Sequence, residues 1–179
     1  MSTKIKIDFR QICGAHRARR GLELCAVAGL TPVLFGFKPG ADRLIEAFKT
    51  ISNQPAVFID VTDAELDSRE YWRPNMTQGD VPFFIHGTDE LASEHHRHES
   101  SFAILKRVEA AQKIFGQVED KVDFGSESAL AMDAGQEKLA ERGQPFRTWN
   151  VMRLARASAA LDGVTVLRPK HILEAIRFQ

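Results

Sequence analysis

The chain has 179 residues, of which 44% are hydrophobic and 27% are charged, and these proportions are ordinary for a globular protein. Its 24 lysines and arginines are balanced by 24 aspartates and glutamates, so the formal net charge is zero. This balance argues against a dedicated nucleic-acid binder, whose domain would be strongly basic, and against an acidic disordered tail.

Cysteine use and hydropathy bear on the compartment. Cys13 and Cys25 both fall in a segment with helical periodicity, and we interpret them as free thiols in a reducing compartment. The amino terminus has no apolar run of signal-peptide length, and no stretch of about 18 apolar residues occurs in the chain. We therefore predict a cytoplasmic protein without a membrane-spanning segment.

The first predicted elements are a short extended segment and a helix. Lys4–Phe9 alternates charged and apolar residues, which predicts an edge strand or an extended lead-in. Gln11–Ala28 follows with helical spacing, and Gly29 suits the end of that helix.

A βαβ unit is predicted next. Thr31–Phe35 and Ala56–Asp60 are both short and apolar enough to be buried strands. Between them lies an amphipathic helix for which Asp42 is the predicted N-cap. Strand, helix and strand within about 30 residues predict a parallel pair of strands with a right-handed crossover. A third apolar run, Val81–His86, contains Pro82, which confines it to the edge or the start of a strand.

The chain beyond about His98 has helical patterns only. Phe102 and Leu173 are expected on the buried faces of the first and last of these helices, and Pro169 is expected to open the last one. The helices predicted in this part are Ser101–Gly116, Ser128–Arg142, Phe146–Leu161 and one from Pro169. A short helix is also predicted earlier, at Thr62–Pro74, before the third strand. We therefore predict an α/β fold in two parts, a core with a small, mostly parallel sheet at 1–98 and an all-helical part at 99–179.

The junction between the first strand and its helix has the outline of a phosphate-binding loop. A working loop reads G-x-x-x-x-G-K-[ST]: backbone N–H groups surround the phosphates, the lysine binds the β and γ oxygens, and the hydroxyl binds Mg²⁺. Counted from Gly36, the last three positions here hold Ala41, Asp42 and Arg43. An acid therefore replaces the lysine, and no hydroxyl follows it.

Two interpretations of this junction remain open. Backbone N–H groups at a helix N-terminus could still bind an anion, with added charge from a lysine or an arginine. The second interpretation, which we favour, is a structural turn in which Asp42 is simply the N-cap. The residues that would form the nucleotide site in the first case are Gly36, Lys38, Gly40 and Arg43.

Two places carry residues of metal-binding type. Asp60 ends the second strand and could hold Mg²⁺ through water, but without a hydroxyl partner a helix cap is the simpler interpretation. His95, His96 and His98 stand beside two glutamates. Their order differs from the H-E-x-x-H pattern of zinc proteases, so a solvated polar loop is the alternative to a metal site.

The stretch Asn150–Phe178 resembles the C-terminal helical domain of the magnesium-chelatase-like ATPases, the competence-related ComM group of the AAA+ class. The resemblance rests on an Arg- and Ala-rich helix, an acid-glycine turn and a proline that opens the last helix. The matching pieces are Leu154-Ala155-Arg156, Leu161-Asp162-Gly163 and Arg168-Pro169-Lys170-His171. In the first half, Leu34-Phe35-Gly36 is similar to the strand and first glycine of the family's phosphate loop, and Val57–Val61 is similar to its Walker B strand.

The departures from the family pattern fall on the catalytic positions. Asp42 stands in place of the phosphate lysine and Arg43 in place of the hydroxyl that binds Mg²⁺. Val61 stands in place of the glutamate that would polarise the attacking water. Only 24 positions separate Gly36 from Asp60, which is fewer than in the family and implies deleted elements.

A basic set lies on the last helices. In the family this region faces nucleotide or a neighbouring subunit, and Arg147 lies one position from the slot of the phosphate-sensing arginine. The alternative is a solvated helix face whose cations compensate helix dipoles. The members of the set are Arg147, Arg153, Arg156, Arg168 and Lys170.

The resemblance implies a shortened and degenerate relative of these ATPases, with a P-loop-like core followed by an AAA+-type helical lid. Hydrolysis is not expected, because three groups that stabilise phosphoryl transfer are replaced. The expected function is a binding or assembly module that meets a protein partner or a second copy through its helical part. The alternatives are a residual ATP- and Mg²⁺-binding switch and a DNA-processing accessory module, although the neutral net charge argues against strong nucleic-acid binding.

Overall fold

The computed structural model describes residues 7–12, 15–36, 38–61, 76–85, 99–119, 126–141 and 147–178. Within these ranges the protein has six α-helices and three β-strands. In chain order they are α1 (His16–Ala28), β1 (Thr31–Gly36), α2 (Lys38–Phe48), β2 (Val57–Ile59), β3 (Asp80–Ile85), α3 (Ser101–Phe115), α4 (Glu127–Glu141), α5 (Thr148–Leu161) and α6 (Pro169–Ile176). None of these helices has the length and apolar character needed to cross a bilayer.

The three strands form a parallel sheet in the order β2-β1-β3. β1 pairs with β2 from Val33 opposite Val57 to Phe35 opposite Ile59. The predicted parallel pairing of the first two strands is therefore confirmed. β3 lies at one edge of the described sheet, which suits a strand that contains Pro82, because proline has no N–H to donate to a further strand.

The segment before α1 agrees with the prediction in part: residues 4–6 lie outside the described ranges, and Asp8 has an extended backbone. Phe9 is not extended but begins a 3-10 turn, and Asp8 caps that turn by accepting the N–H of Arg10. α1 begins only at His16, because Ala15 has a left-handed backbone with φ of 48° and cannot continue a helix from Gln11. The end of α1 is as predicted: Gly29 has φ of 66° and donates its N–H to the carbonyl of Cys25.

The starts of the later helices follow their sequence signals, but two predicted faces are wrong. α3 begins after Ser100, whose side chain caps it, and α6 begins at Pro169. Phe102 is 68% exposed and Leu173 is 49% exposed, although both were expected inside. Each lies one position beyond a buried residue, so it is turned by about 100° from the buried stripe. The stripe of α3 is Ser101, Ile104, Val108 and Ala111, and that of α6 is His171, Ile172 and Ala175.

One hydrophobic core joins the sheet to the helices of the second half. α1 packs on β3, on α3 and on α5. At Gly21 the approach is so close that an added Cβ would lie 2.1 Å from the ring of Phe83 and 2.9 Å from that of Phe178. The division at residue 98 stays a prediction, and the parts on its two sides share this core. Its largest fully buried side chains are Phe9, Leu22, Leu24, Leu30, Leu34, Leu44, Phe48, Ile104, Leu154, His171 and Ile172.

Candidate functional site

The strand–helix junction is much shorter than a phosphate-binding loop. β1 ends at Gly36, whose φ of 109° favours glycine, and α2 begins at Lys38, so a single residue separates the two elements. In a phosphate-binding loop, several residues lie between strand and helix and direct their N–H groups at the ligand. Here Gly40 is already inside the helix.

The predicted N-cap at Asp42 is wrong. Because α2 begins at Lys38, Asp42 lies in its second turn, and its exposed side chain cannot cap the first one. Pro39 explains the early start, since proline is tolerated in the first helical turn, where its missing N–H would have no intrahelical partner. Ala41 is fully buried, whereas Arg43 is exposed.

Asp60 lies near Gly36, at the carboxyl ends of the strands. Both residues stand at the carboxyl ends of neighbouring parallel strands, the edge where open α/β sheets commonly bind ligands. Asp60 is exposed, and the next residue, Val61, is buried in a small apolar cluster with Val33 and Phe35. The position that the resemblance matches to a catalytic glutamate is therefore an apolar contact.

Of the two places that carry residues of metal-binding type, the structure describes only the one at Asp60. In the part of the chain that the structure describes, no group of three or more histidine, cysteine, aspartate or glutamate side chains is arranged to hold a metal ion. His95, His96 and His98 lie outside the described ranges, as does the helix predicted at Thr62–Pro74. Asp60 therefore belongs to no such group among the described residues.

Arg147 lies near the amino ends of the strands, whereas Gly36 lies at the carboxyl end of β1. Nη1 of Arg147 donates to the carbonyl of Thr77 at 3.0 Å, and Thr77 precedes the start of β3. β1 and β3 are in register from Thr31 opposite Asp80 to Gly36 opposite Ile85. The amino and carboxyl ends of these strands are therefore about 16 Å apart. The structure therefore does not bring Arg147 together with Gly36 and Asp60.

The first turn of α5 is joined to the turn before β3. Asn150 is fully buried, its Nδ2 donates to the carbonyl of Asp80 at 2.8 Å, and its Oδ1 accepts the N–H of Gly79 at 3.2 Å. Asp80 in turn accepts hydrogen bonds from the N–H and hydroxyl of Thr77. A cavity of about 300 Å³ beside this contact is lined by Met76, Gln78, Arg147, Thr148, Trp149 and Asn150.

The next two arginines of α5 bind the carboxyl ends of other helices. Arg153 Nε donates at 3.1 Å to the carbonyl of Ala28, the last residue of α1. Arg156 Nη2 donates at 3.1 Å to the carbonyl of Phe115, the last residue of α3. Cations at these ends compensate the helix dipoles, so this part of the second interpretation of the basic set agrees with the structure for Arg153 and Arg156, but the solvated face does not. Both side chains are half-buried rather than solvated.

An ionic chain that sequence reasoning missed connects α3, α1 and α6. Arg107 binds both oxygens of Glu99 at 2.8 Å and reaches Glu23 at 2.8 Å. Glu23 lies 3.5 Å from Arg20, whose Nε and Nη2 bind the two oxygens of Glu174 at 2.9 and 3.1 Å. Only Arg20 and Glu23 have a spacing, i,i+3 on a helix, that signals a pair in the sequence; partners such as Arg20 and Glu174 are far apart in the chain.

The chain of charges lowers the pKa of two carboxylates, those of Glu99 and Glu174. Hydrogen bonds from Arg107 hold the pKa of Glu99 below its ordinary value, despite partial burial. Burial alone would raise the pKa of Glu174, but hydrogen bonds from Arg20 and from the hydroxyl of Ser158 outweigh it and lower that pKa. These two carboxylates are therefore ionised at neutral pH, and the ionic chain is a structural contact between helices.

A second polar cluster closes the turn between α5 and α6. His171 is 1% exposed, its Nδ1 accepts the N–H of Arg168 at 3.0 Å, and its Nε2 lies 3.3 Å from Asp162 Oδ2. Lys170 also donates to Asp162. Burial lowers the pKa of His171 despite the nearby carboxylate, so the ring is neutral at pH 7.

Cys25 behaves as a small hydrophobic residue. It is a free thiol, it is fully buried in α1, and burial raises its pKa far above the ordinary value. A thiol in this state is a poor nucleophile, because the thiolate is the reactive form. Cys13 lies outside the described residues.

Comparison with known proteins adds no identification. No family model matches the chain, and a search of curated proteins found no significant match. The resemblance to the magnesium-chelatase-like ATPases therefore stays a prediction carried by the residues that match it.

Proposed function

We propose that this protein is a non-hydrolysing relative of the magnesium-chelatase-like AAA+ ATPases that acts as a binding or assembly module. In this proposal the helices from α3 to α6 are the counterpart of the AAA+ lid. The observation that carries it is the junction after β1, where α2 begins two residues after Gly36 and leaves no loop of phosphate-binding length.

Two further positions support the loss of hydrolysis. Val61 packs in an apolar cluster, and a glutamate in its place would lose hydration that the cluster could not replace. Arg147 donates to Thr77 at the amino edge of the sheet, whereas a nucleotide at Gly36 would lie at the carboxyl edge. The groups needed for phosphoryl transfer are thus replaced or separated.

The helical part offers the surface for binding. The exposed large apolar side chains there include Phe102, which is 68% exposed, Leu130, which is 61% exposed, and Leu173, which is 49% exposed. They lie on α3, α4 and α6, and exposed aliphatic and aromatic side chains are the groups that protein interfaces bury. We therefore place the contact with a protein partner or a second copy on these helices.

Nucleotide binding is tested by calorimetry. Titration of the protein with ATP and Mg²⁺ is expected to give no saturable heat, and phosphate release is expected to stay at the rate of buffer alone. Arg43→Ala, which removes an exposed cation of α2, should change neither result. Micromolar binding that is lost in Lys38→Ala or Arg43→Ala would support the residual ATP-binding switch instead and would contradict the proposal.

Association is tested by light scattering after size-exclusion chromatography, over a range of protein concentrations. If the helical part binds a second copy, Leu130→Ser and Leu173→Ser should shift the protein toward the monomer. Val57→Ser is the matched control, because Val57 is 43% exposed but lies on β2. A dimer that weakens equally in the control would move the interface away from the helices, and a monomer at every concentration would leave a protein partner as the occupant.

A further inference from the structure

The first turn of α6 is held by a histidine in a role that glutamate or glutamine usually takes. In a capping box, the side chain at the third helical position accepts the N–H of the N-cap residue. Here His171 occupies that position and accepts the N–H of the N-cap residue Arg168 at 3.0 Å. Unlike glutamine, histidine can lose this acceptor by taking up a proton.

The hydrogen bonds fix the protonation state of the ring. A backbone N–H can only donate, so Nδ1 of His171 must be unprotonated. The proton is therefore on Nε2, which points at Asp162 Oδ2 at 3.3 Å. The ring is 1% exposed, so water cannot replace either partner without movement of the chain.

A second proton on the ring would break this arrangement. Nδ1–H would face the N–H of Arg168, and two donors in that position repel instead of bonding. The charged groups that act on the ring are Asp162, from the turn after α5, and Lys170 and Arg168, from the start of α6. Asp162 would attract the imidazolium, but it already accepts from Lys170, and the two cations oppose the added charge.

We propose that protonation of His171 releases the first turn of α6 and loosens this helix from the rest of the bundle. α6 carries Ile172 and Ala175 into the core, and its Glu174 ends the ionic chain at Arg20. Its release therefore uncovers part of the core and separates Arg20 from Glu174, which leaves Arg20 with Glu23. The device is independent of the proposed binding function.

The direction of the effect follows from linkage. The pKa of His171 is lower in the folded protein than its ordinary value of 6.5, so the unfolded or released segment binds a proton more readily. The contribution of this contact to the stability of α6 is complete above a pH of about 6.5 and decreases as the pH falls below that value toward the lower pKa of the folded state. One proton changes the population of the released form by at most about tenfold per pH unit.

Hydrogen exchange measured by mass spectrometry tests the proposal on peptides from residues 164–178. After correction for intrinsic rates, exchange in these peptides should rise severalfold between about pH 7.5 and pH 5.5, and α1 peptides should change less. In His171→Gln, whose amide oxygen can accept the N–H of Arg168 but does not titrate, the rise should disappear. His16→Gln is the matched control and should keep it. A wild-type profile without the rise, or an equal rise in His171→Gln, would overturn the proposal.

A measurement on the wild-type protein guards against a variant that fails to fold. Nitrogen NMR of the imidazole rings should show His171 with its proton on Nε2 at pH 7. Its titration should coincide with the loss of α6 protection. A proton on Nδ1, or full titration with α6 still protected, would contradict the inference.

Discussion

At the scale of the residue, several side chains have roles that depend on atoms from distant parts of the chain. Gly21 is needed because Phe83 and Phe178 fill the space beside it, and Asn150 is buried because Gly79 and Asp80 supply its partners. Neither position carries a motif. Their importance follows from close packing and from the cost of burying an amide without partners.

Gly21→Ala is expected to destabilise the protein by about 1–3 kcal/mol, because the new Cβ would lie 2.1 Å from Phe83 and the rings must move. Gly116→Ala is the matched control. No atom lies within 4 Å of a Cβ built at Gly116, and its φ of −68° suits alanine. The control should therefore be neutral or more stable by about 0.4–1 kcal/mol. Urea unfolding of both variants measures the difference, and equal stabilities would contradict the packing argument.

At the scale of the element, α5 organises the helices and the sheet. Asn150 and Arg147 bind the turn before β3, and Arg153 and Arg156 bind the last carbonyls of α1 and α3. Arg-rich helices are often assigned to anion binding, but these three guanidinium groups donate to backbone carbonyls. Two of them, Arg153 and Arg156, bind the last carbonyls of helices and compensate the helix dipoles there. The many alanines of α5 are small and allow the neighbouring helices to approach closely.

Asn150→Ala should cost about 1–3 kcal/mol of stability, because it leaves the N–H of Gly79 and the carbonyl of Asp80 without their buried partner. Arg147→Ala removes a single, more exposed hydrogen bond at the same turn and should cost less. Chemical denaturation compares the two variants. Hydrogen exchange at β3 should also rise in Asn150→Ala, and a loss confined to α5 would show that the contact does not hold the strand.

At the scale of the whole molecule, charged pairs join helices that the sequence separates. The ionic chain from Glu99 to Glu174 passes through α3, α1 and α6, and the core beneath it contains residues from both halves of the chain. Because Glu99 and Glu174 have lowered pKa values in the folded state, the unfolded chain binds protons at these two carboxylates first on acidification.

Stability should therefore decrease as the pH falls below about 4.5, the ordinary pKa of a glutamate. Glu174→Gln should be less stable than the wild type at neutral pH, and its stability should depend less on pH between about 4.5 and 3. Glu137→Gln, at an exposed position of α4, should keep the wild-type dependence. Urea unfolding across this range is the measurement, and parallel curves for wild type and Glu174→Gln would remove Glu174 from the account.

The candidate site shows where sequence reasoning reached its limit. The spacing after Gly36 correctly indicated a strand followed by a helix, but that helix begins at Lys38, four residues before Asp42, with Pro39 in its first turn. A one-dimensional motif counts positions and cannot tell whether they form a loop or a helical turn. The residues suggested as one nucleotide site are therefore separated in the structure. Gly36 and Asp60 lie at the carboxyl ends of the strands, and Arg147 lies near their amino ends.

Local sequence patterns were enough to predict several features of this protein: the parallel βαβ unit, the helix starts at Ser101 and Pro169, the Gly29 cap and the edge position of the Pro82 strand within the described sheet. Each of these follows from the geometry of a few neighbouring residues. The tertiary structure alone decided which carbonyls the α5 arginines bind, how Glu23 and Arg107 meet, and that His171 is buried. These depend on side chains and backbone groups that folding brings together from far apart in the chain, and no local pattern encodes them.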